Sequence, residues 1–390
     1  MGRLLSRILG RKEAPVEARS GLYSPPGYAE VFGIQPAASG AYVSPVMAEN
    51  LATVLACVNV ISGTMAAMTP RVYRATAAGR EELRDHPVAR LTRRPNADQT
   101  WPDWLEWTLA QVLLHGNAVS AIEHDGAGRP VALQPLPWGT VQLCRLSSGR
   151  LAYDVVQGTG GVRRLFADEV FHLRDRSDDG LIGRSRISRA REVLGNALAL
   201  QEWSGSMWAN QATPSGAITV PKNISPEGFK TFKAQFEQAH IGARNGRRVL
   251  FLDEGSQFLP FSISPEDAEV LASRRFTAEE LARLFSVPPP VVGDLAHGTF
   301  TNSREAGRWF AQFTLAPWAR KIEAEFRRSV FGAGSPDCTL EIDLSDLLRG
   351  DAEARWQSHK IAVESGVLDP NEIREVEGWN PRPAQPGMVG

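Results

Sequence analysis

Three consecutive prolines, Pro288 to Pro290, constrain this chain more than any other feature. They follow ARLFSV, the end of a helix-patterned stretch. A proline has no N–H to continue a helical ladder, and Pro288 biases Val287 away from the α region. The helix must therefore stop there, and the spacing predicts a short, stiff polyproline rod. Beyond it Gly293 and Gly298 bracket a loop of Asp294, Leu295, Ala296 and His297. The loop continues through Thr299, Phe300 and Thr301 until Asn302 and Glu305 suggest a new helix cap. That helix is expected from Ser303 to about Phe331 with Pro317 inside it. An interior proline costs about 3 kcal/mol and kinks a helix. A loop held between a rigid rod and a bent helix suits contact with a moving ligand.

The helix that runs into the prolines opens at Ser264-Pro265-Glu266-Asp267, with a Ser cap, Pro at its first position and acids in its first turn. A second long helix is expected from Ile187 to Asn210, with Val193, Leu194, Ala197, Leu200, Trp203 and Met207 on its apolar side. Between them, residues 213–263 contain a strand-like GAITV and a helix start at Ser225-Pro226-Glu227. Phe229, Phe232 and Phe236 follow at helical spacing, then the ARNGRR turn and the strand-like runs RVLFL and QFLPFSI. About 50 residues is the margin of what one chain can bury, so this module should pack against copies of itself or a partner. The pattern is an insertion on a two-helix stalk.

Arg184, Arg186, Arg189 and Arg191 crowd the start of the first stalk helix, the wrong end for its dipole. Asp175, Asp178, Asp179 and Glu192 are the nearby acids that could pair with them; the alternative is a role near DNA or a neighbouring subunit. The stretch DRSDDGLIGRSR has acids at calcium-loop positions, but Arg186 stands where a bidentate Glu should close the shell, so it is expected to be a turn. No metal site is expected.

Upstream, residues 48–67 carry a helical stripe of Leu51, Val54, Leu55, Val58, Ile61 and Met65. Thr100, with Asp103 three residues on, caps a second packed helix that ends near His115-Gly116. From Asn117 to Arg174 the period drops to two in AVSAIEH, TVQLCRL, LAYDVV, VRRLF and EVFHLRD, which predicts an antiparallel, meander-like sheet and an α+β domain. Residues 20–46 are rich in Gly, Pro, Ser and Ala and suggest an irregular lead-in. Ahead of it, Leu4, Leu5, Ile8 and Leu9 are set against Arg3, Arg7, Arg11 and Lys12. That pattern fits a membrane-surface helix or, as the expected reading, a basic arm that orders only against a partner.

Charge and chemistry exclude several classes. The formal net charge of -1 argues against holding nucleic acid by bulk charge. Cys57, Cys144 and Cys338 are too few for a disulfide framework or thiolate metal site and are expected in the core of a protein in a reducing compartment. The longest apolar run, Leu51 to Ile61, is short of the ~20 residues of a membrane span, and Arg7 interrupts any signal-peptide region, so a cytoplasmic origin is expected. There is no H-E-x-x-H, C-x-x-C, G-x-S-x-G or phosphate-binding glycine loop. No catalytic residue and no cofactor are expected; His297 is the one histidine in the loop that a hydrolase reading would use.

In order along the chain come LACVNVISGTMAAM, then HPVARLTRRPNADQTWPDWLEWTLAQVLLHGNAVS, LQPLPW and ARLFSVPPPVVG. FTLAPWARKIEAEF and DLSDLLRGDAEARWQSHKIAVESGVLDPNEIREVEGWNP complete the series. Together these resemble portal proteins of tailed phages, in the short class typified by Hong Kong phage 97 and shared by gene transfer agents. The resemblance covers roughly residues 45–383.

It implies an α+β portal fold in a dodecameric ring around a channel for packaging and ejecting double-stranded DNA. By the resemblance, residues 1–44 are a flexible arm and 45–184 a wing with a return segment at 332–348. Residues 185–212 and 264–287 are stem helices and 213–263 a clip. Residues 288–302 are the proline turn and tunnel loop, 303–331 a kinked tunnel helix and 349–390 a short helical crown. Asp294, His297, Thr299, Phe300 and Thr301 would face DNA. The implied partners are further copies of itself, DNA, the large-subunit ATPase of terminase, a head–tail adaptor and the major capsid protein, with no membrane. The implied place is a capsid vertex, after assembly in the bacterial host cytoplasm. A non-channel ring adaptor or scaffold is the alternative. Near-neutrality fits a channel, since each neutralised phosphate adds affinity and would act as a brake. The preference for arginine over lysine, with much alanine, favours a gene transfer agent over an infectious phage.

Overall fold

The computed structural model describes residues 19–22, 36–77, 79–158, 160–210, 216–219, 227, 230–231, 257–260, 276–294, 300–344, 347, 352–377 and 379–382. The described helices, in chain order, begin with α1 (Pro45–Ala48), α2 (Ala52–Ala66), α3 (Pro87–Leu91) and α4 (Trp101–His115). After them come α5 (Arg186–Arg189), α6 (Arg191–Asn210), α7 (276–284), the long α8 from Phe300, α9 (Ala352–Glu364) and α10 (Pro370–Val376). The strands are β1 (Arg19–Leu22), β2 (Pro70–Thr76), β3 (Gly79–Glu82), β4 (Asn117–His124), β5 (Pro130–Leu136) and β6 (Val141–Leu146). They continue with β7 (Leu151–Val156), β8 (Val162–Phe166), β9 (Val170–Arg174), β10 (Gly216–Thr219), β11 (Gln257–Pro260) and β12 (Cys338–Ile342).

The core is organised on α4. Its start is the expected capping box, in which the Thr100 amide donates to Asp103 at 3.0 Å. Trp101, Trp104, Leu105, Leu109, Val112 and Leu113 recur at helical spacing and are buried. They meet Val54, Cys57, Ile61 and Met65 of α2 on one side and Ala118, Ile122, Phe171 and Leu173 of the adjoining sheet on the other. Trp104, Phe171 and Phe326 meet edge-on at centroid distances of 5.2 to 6.1 Å, favourable geometry for aromatic quadrupoles. All three cysteines are free and buried, and burial pushes the Cys57 thiol up to about 12.

The expected single meander is two sheets. Asp125 accepts the Ala127 and Arg129 amides, both at 2.9 Å, and so folds β4 back on β5, a strand the sequence patterning missed. β9 then returns to the other side of β4, giving the order β5-β4-β9. The true meander, β6-β7-β8, forms a second sheet with β1 on its edge. β4 lies between α4 and that second sheet and is buried on both faces, so Asn117–Ile122 shows no clean alternation. In a third sheet, β12-β2-β3, β12 pairs antiparallel with β2, Cys338 with Arg74 through to Ile342 with Pro70.

The lead-in is more ordered than its composition suggests. β1 pairs with β6, Ala37 and Val43 are buried, and the Ala38 amide donates to Glu192 of α6 at 2.8 Å. GAITV and QFLPFSI supply β10 and β11, which pair antiparallel. The phenylalanine stripe and RVLFL lie outside the described residues.

Candidate functional site

Two corrections concern the proline turn. Helix α7 ends in a Schellman motif before any proline acts: the Val287 amide donates to Ala282 and the Ser286 amide to Arg283, each at 2.9 Å. Ser286 takes the left-handed position at φ 61°, the one described non-glycine residue with positive φ, and its carbonyl accepts from the Thr314 hydroxyl of α8. The expected polyproline rod is one residue long. Pro288 is extended (φ -62°, ψ 133°), whereas Pro289–Val292 form a 3-10 turn, because the prolines fill its first positions, where no N–H is needed. Gly293 ends it at φ 90°.

Helix α8 also differs from expectation. It begins at Phe300, so Asn302 is inside it rather than at its cap, and it runs through Trp309 without interruption. Its irregularity precedes Pro317: Phe310–Leu315 is a π-helical stretch in which the Ala316 amide reaches back to Ala311. The wider turn accommodates the proline ring and its missing donor. Ala316–Glu325 is α-helical, and a second π-helical stretch, Phe326–Phe331, closes the element. Of the residues expected to face DNA, Asp294 is half-buried beside the 3-10 turn, its amide donating to Pro289 at 3.1 Å. Phe300 and Thr301 form the first turn of α8 rather than the loop; His297 and Thr299 lie outside the described residues.

The four arginines are each paired within the chain. Arg186 Nε meets Asp175 at 2.7 Å, Arg189 meets Asp178 at 2.6 Å, Arg184 meets the same Asp178 at 3.4 Å, and Arg191 meets Glu192 at 3.2 Å. Hydrogen bonds from Arg189 and Arg184 hold the Asp178 carboxyl below its ordinary range. Asp179 instead caps its own loop, accepting the Leu181 and Ile182 amides at 2.6 and 2.9 Å. Arg186 lies over Phe285 and Trp318 at 6.0 and 5.6 Å and donates to the Leu284 carbonyl at 3.4 Å. It ties together the loop before α5, the end of α7 and the middle of α8.

Sequence reasoning missed a side-chain ladder between α8 and β9, the edge strand of its sheet. Lys321 Nζ donates to the Arg174 carbonyl at 2.8 Å, Glu325 Oε1 accepts the His172 amide at 2.8 Å, and Arg328 donates to the Val170 carbonyl at 2.9 Å. Alternate strand residues are spaced about 6.7 Å, and helical steps of four and then three residues rise about 6 and about 4.5 Å, within reach of long side chains, so a stripe at 321, 325 and 328 can follow the edge. Glu323 does the same to the third sheet, accepting the Ile342 amide at 3.0 Å. One helix thereby closes two exposed sheet edges. The i, i+4, i+7 charges were visible in KIEAEFRR, but nothing in the sequence distinguishes them from a solvated face. Burial, then the nearby Arg186 and Arg174, lowers the Lys321 pKa against the opposing pull of Asp175.

Behind the ladder, His172 is fully buried between Tyr153 OH at Nδ1 and Asn117 Oδ1 at Nε2, both 3.1 Å. Asn117 also holds Gly183 by two bonds of 2.7 and 2.8 Å. Its Oδ1 accepts, so Nε2 carries the imidazole proton and the tyrosine donates to Nδ1. Burial, reinforced by Arg174 and Arg328, pushes the His172 pKa well below 6.5. Gly116 (φ 79°) and Gly183 pass so closely that a Cβ on Gly183 would stand 2.0 Å from the Gly116 carbonyl oxygen. These contacts join two sheets to the start of α5. Among the described residues no group of His, Cys, Asp and Glu could hold a metal, and no helix is long and apolar enough to cross a membrane.

A sequence profile of the phage portal protein family matches residues 52–378. The chain belongs to the phage portal protein family. It is 30% identical to the probable portal protein of Streptomyces phage phiC31 over 97% of this chain and 86% of that protein. It is 28% identical to the portal protein of Enterobacteria phage HK97 over 86% and 80% of the respective chains. Among solved structures, a chain in the neck of a native gene transfer agent particle, computed with C12 symmetry, superposes with a TM-score of 0.61 at 25% identity, covering 85% of this chain and 91% of that one. The matched portal region contains the capped α4, the proline turn, the ladder helix and the joint at Gly183. The α+β fold inferred from the sequence is the portal fold.

Proposed function

We propose that twelve copies of this portal protein close into a ring at one vertex of a capsid, and that double-stranded DNA is packaged and released through the central channel. The reading rests chiefly on the near full-length likeness to a neck component of C12 symmetry. In this assignment the wing is 45–184 with the return segment 332–348, the stem 185–212 and 264–287, the clip 213–263 and the crown 349–390. The tunnel loop is assigned to 288–302, its last residues forming the first turn of α8. Asp294, His297, Thr299, Phe300 and Thr301 approach the duplex. The ring also meets the major capsid protein and a head–tail adaptor, is assembled in the host cytoplasm, and is not an enzyme. The energy for translocation comes from the large-subunit ATPase of terminase.

Two measurements test this. Electron microscopy of the purified protein should show a ring with a lumen that admits a duplex; a solitary globule refutes the assignment, and a ring without such a lumen supports an adaptor instead. Removing residues 295–299 should leave ring formation intact and lower the DNA content of particles. Normal packaging by that variant would remove the loop from the mechanism.

A further inference from the structure

Helix α8 carries a burial pattern that a plain α-helix cannot keep on one side. From Ala306 to Val330 every fourth residue is buried, Phe310, Trp318, Ile322 and Phe326 among them. A second row at the same spacing, Glu305, Trp309, Phe313, Pro317 and Lys321, is exposed. Four residues of α-helix overshoot a full turn by about 40°, so the six steps from Ala306 to Val330 would carry the buried row about 240° around the axis. A π-helical stretch takes one extra residue into its turn and so brings the row back by about 100°. Two such stretches, Phe310–Leu315 and Phe326–Phe331, leave a drift of only about 40°, and the row stays on the core. Pro317 is not a cause common to both, since Phe326–Phe331 contains no proline.

The two halves of α8 are held unequally. Lys321, Glu323, Glu325 and Arg328 fasten the second half to two sheet edges. Among the described side chains of the leading segment, Phe300–Trp309, Ala306 alone is buried. We propose that the four-residue repeat, acting through the π-helical stretches, aims this leading segment, and with it the end of the loop 288–302 that the ring-channel function places beside DNA. The link to DNA rests on that function; the phase of the helix does not.

Cysteines at two neighbouring positions report the phase, because the native thiols are buried. Ala306 is 6% exposed, and a side chain at Gly307 meets nothing within 4 Å. In the full chain Ala306→Cys should react with a maleimide at least tenfold more slowly than Gly307→Cys. Pro317→Ala should keep that order. So should Pro317→Ala with Gln312 deleted, in which an uninterrupted α-helix reaches the same phase. Loss or reversal of the order in Pro317→Ala means that the proline holds the π-helical turn, and overturns the proposal; that variant decides alone if the deletion does not fold. Deleting Arg308, whose side chain is 70% exposed, turns everything before it by about 100° and leaves the row from Phe310 onward in place. Rings of that variant should form, label readily at Ala306→Cys and give particles with at least threefold less DNA. Normal DNA content overturns the aiming role if removal of residues 295–299 does lower it. If that removal changes nothing either, the loop's part in packaging fails, and the labelling order by itself upholds or overturns the repeat.

Discussion

Replacing Glu325 tests whether the α8 ladder holds the sheet edge or merely decorates it. Glu325 is 8% exposed, and its Oε1 accepts the His172 amide at 2.8 Å and Arg328 at 2.5 Å. In Glu325→Ala the His172 N–H is left buried without an acceptor, a loss of about 1–3 kcal/mol. Arg328 also loses its carboxylate, but its side chain is 38% exposed and keeps the Ala167 and Val170 carbonyls, so that loss is about 0.5–1 kcal/mol. The sum, about 1.5–4 kcal/mol, should lower Tm by about 2–5 °C for a chain of 390 residues at matched protomer concentration. Glu325→Gln keeps an acceptor for the amide and should lose only about 1 kcal/mol. Hydrogen exchange separates the contributions: the His172 amide should exchange at least tenfold faster in the alanine variant than in the glutamine variant. Equal damage from both substitutions would place the stabilisation in the ion pair and refute the edge argument.

Gly183→Ala should prevent the joint from closing and cost more than 4 kcal/mol, because its Cβ meets two stretches of backbone, whereas Gly180→Ala, at φ 78° with open space around it, should cost about 1 kcal/mol; thermal unfolding of the pair checks the contrast. Ser286→Gly should stabilise by about 0.5–1 kcal/mol by relieving the left-handed backbone, read as a raised denaturation midpoint; a fall would mean the serine side chain matters there. The unfolded chain binds a proton on His172 near 6.5 and the native state does not, so stability should fall as pH drops below 6.5, by up to ~1.4 kcal/mol per pH unit. In His172→Asn the fall in Tm between pH 6.5 and 5 should be shallower than in the native chain.

Local chemistry was legible where one residue type has one conformational use. Thr100 and Asp103 announced α4, where the Thr100 amide donates to the aspartate at 3.0 Å. The proline run announced a stop, but its form was misjudged, because Pro289 and Pro290 are as well suited to the first positions of a 3-10 turn as to a rod. The two-sheet arrangement was not legible, since burial of β4 on both faces erases the alternation from which strand partners are inferred. The ladder was invisible for the same kind of reason. Lys321, Glu325 and Arg328 look like any exposed helix stripe until β9 is placed beside them, and which carbonyls they meet is a property of tertiary packing alone.

The arginines at the starts of α5 and α6 are neutralised by carboxylates of the same chain. Phosphate binding gains affinity when a protein cation releases the counterions condensed on a duplex. A guanidinium already seated on a carboxylate has to give up that partner first, so its gain is reduced. Arg186 is held by Asp175, stacked on two aromatic rings and only 19% exposed, and moving it would open the contact between α7 and α8. Its replacement should therefore damage the monomer itself. Arg184 is 38% exposed and shares Asp178 with Arg189 at a longer 3.4 Å. Of the four, it is the residue whose charge can be reversed with least harm to the fold, and so the one whose substitution can separate a role toward DNA or a neighbouring subunit from a role in holding the joint together.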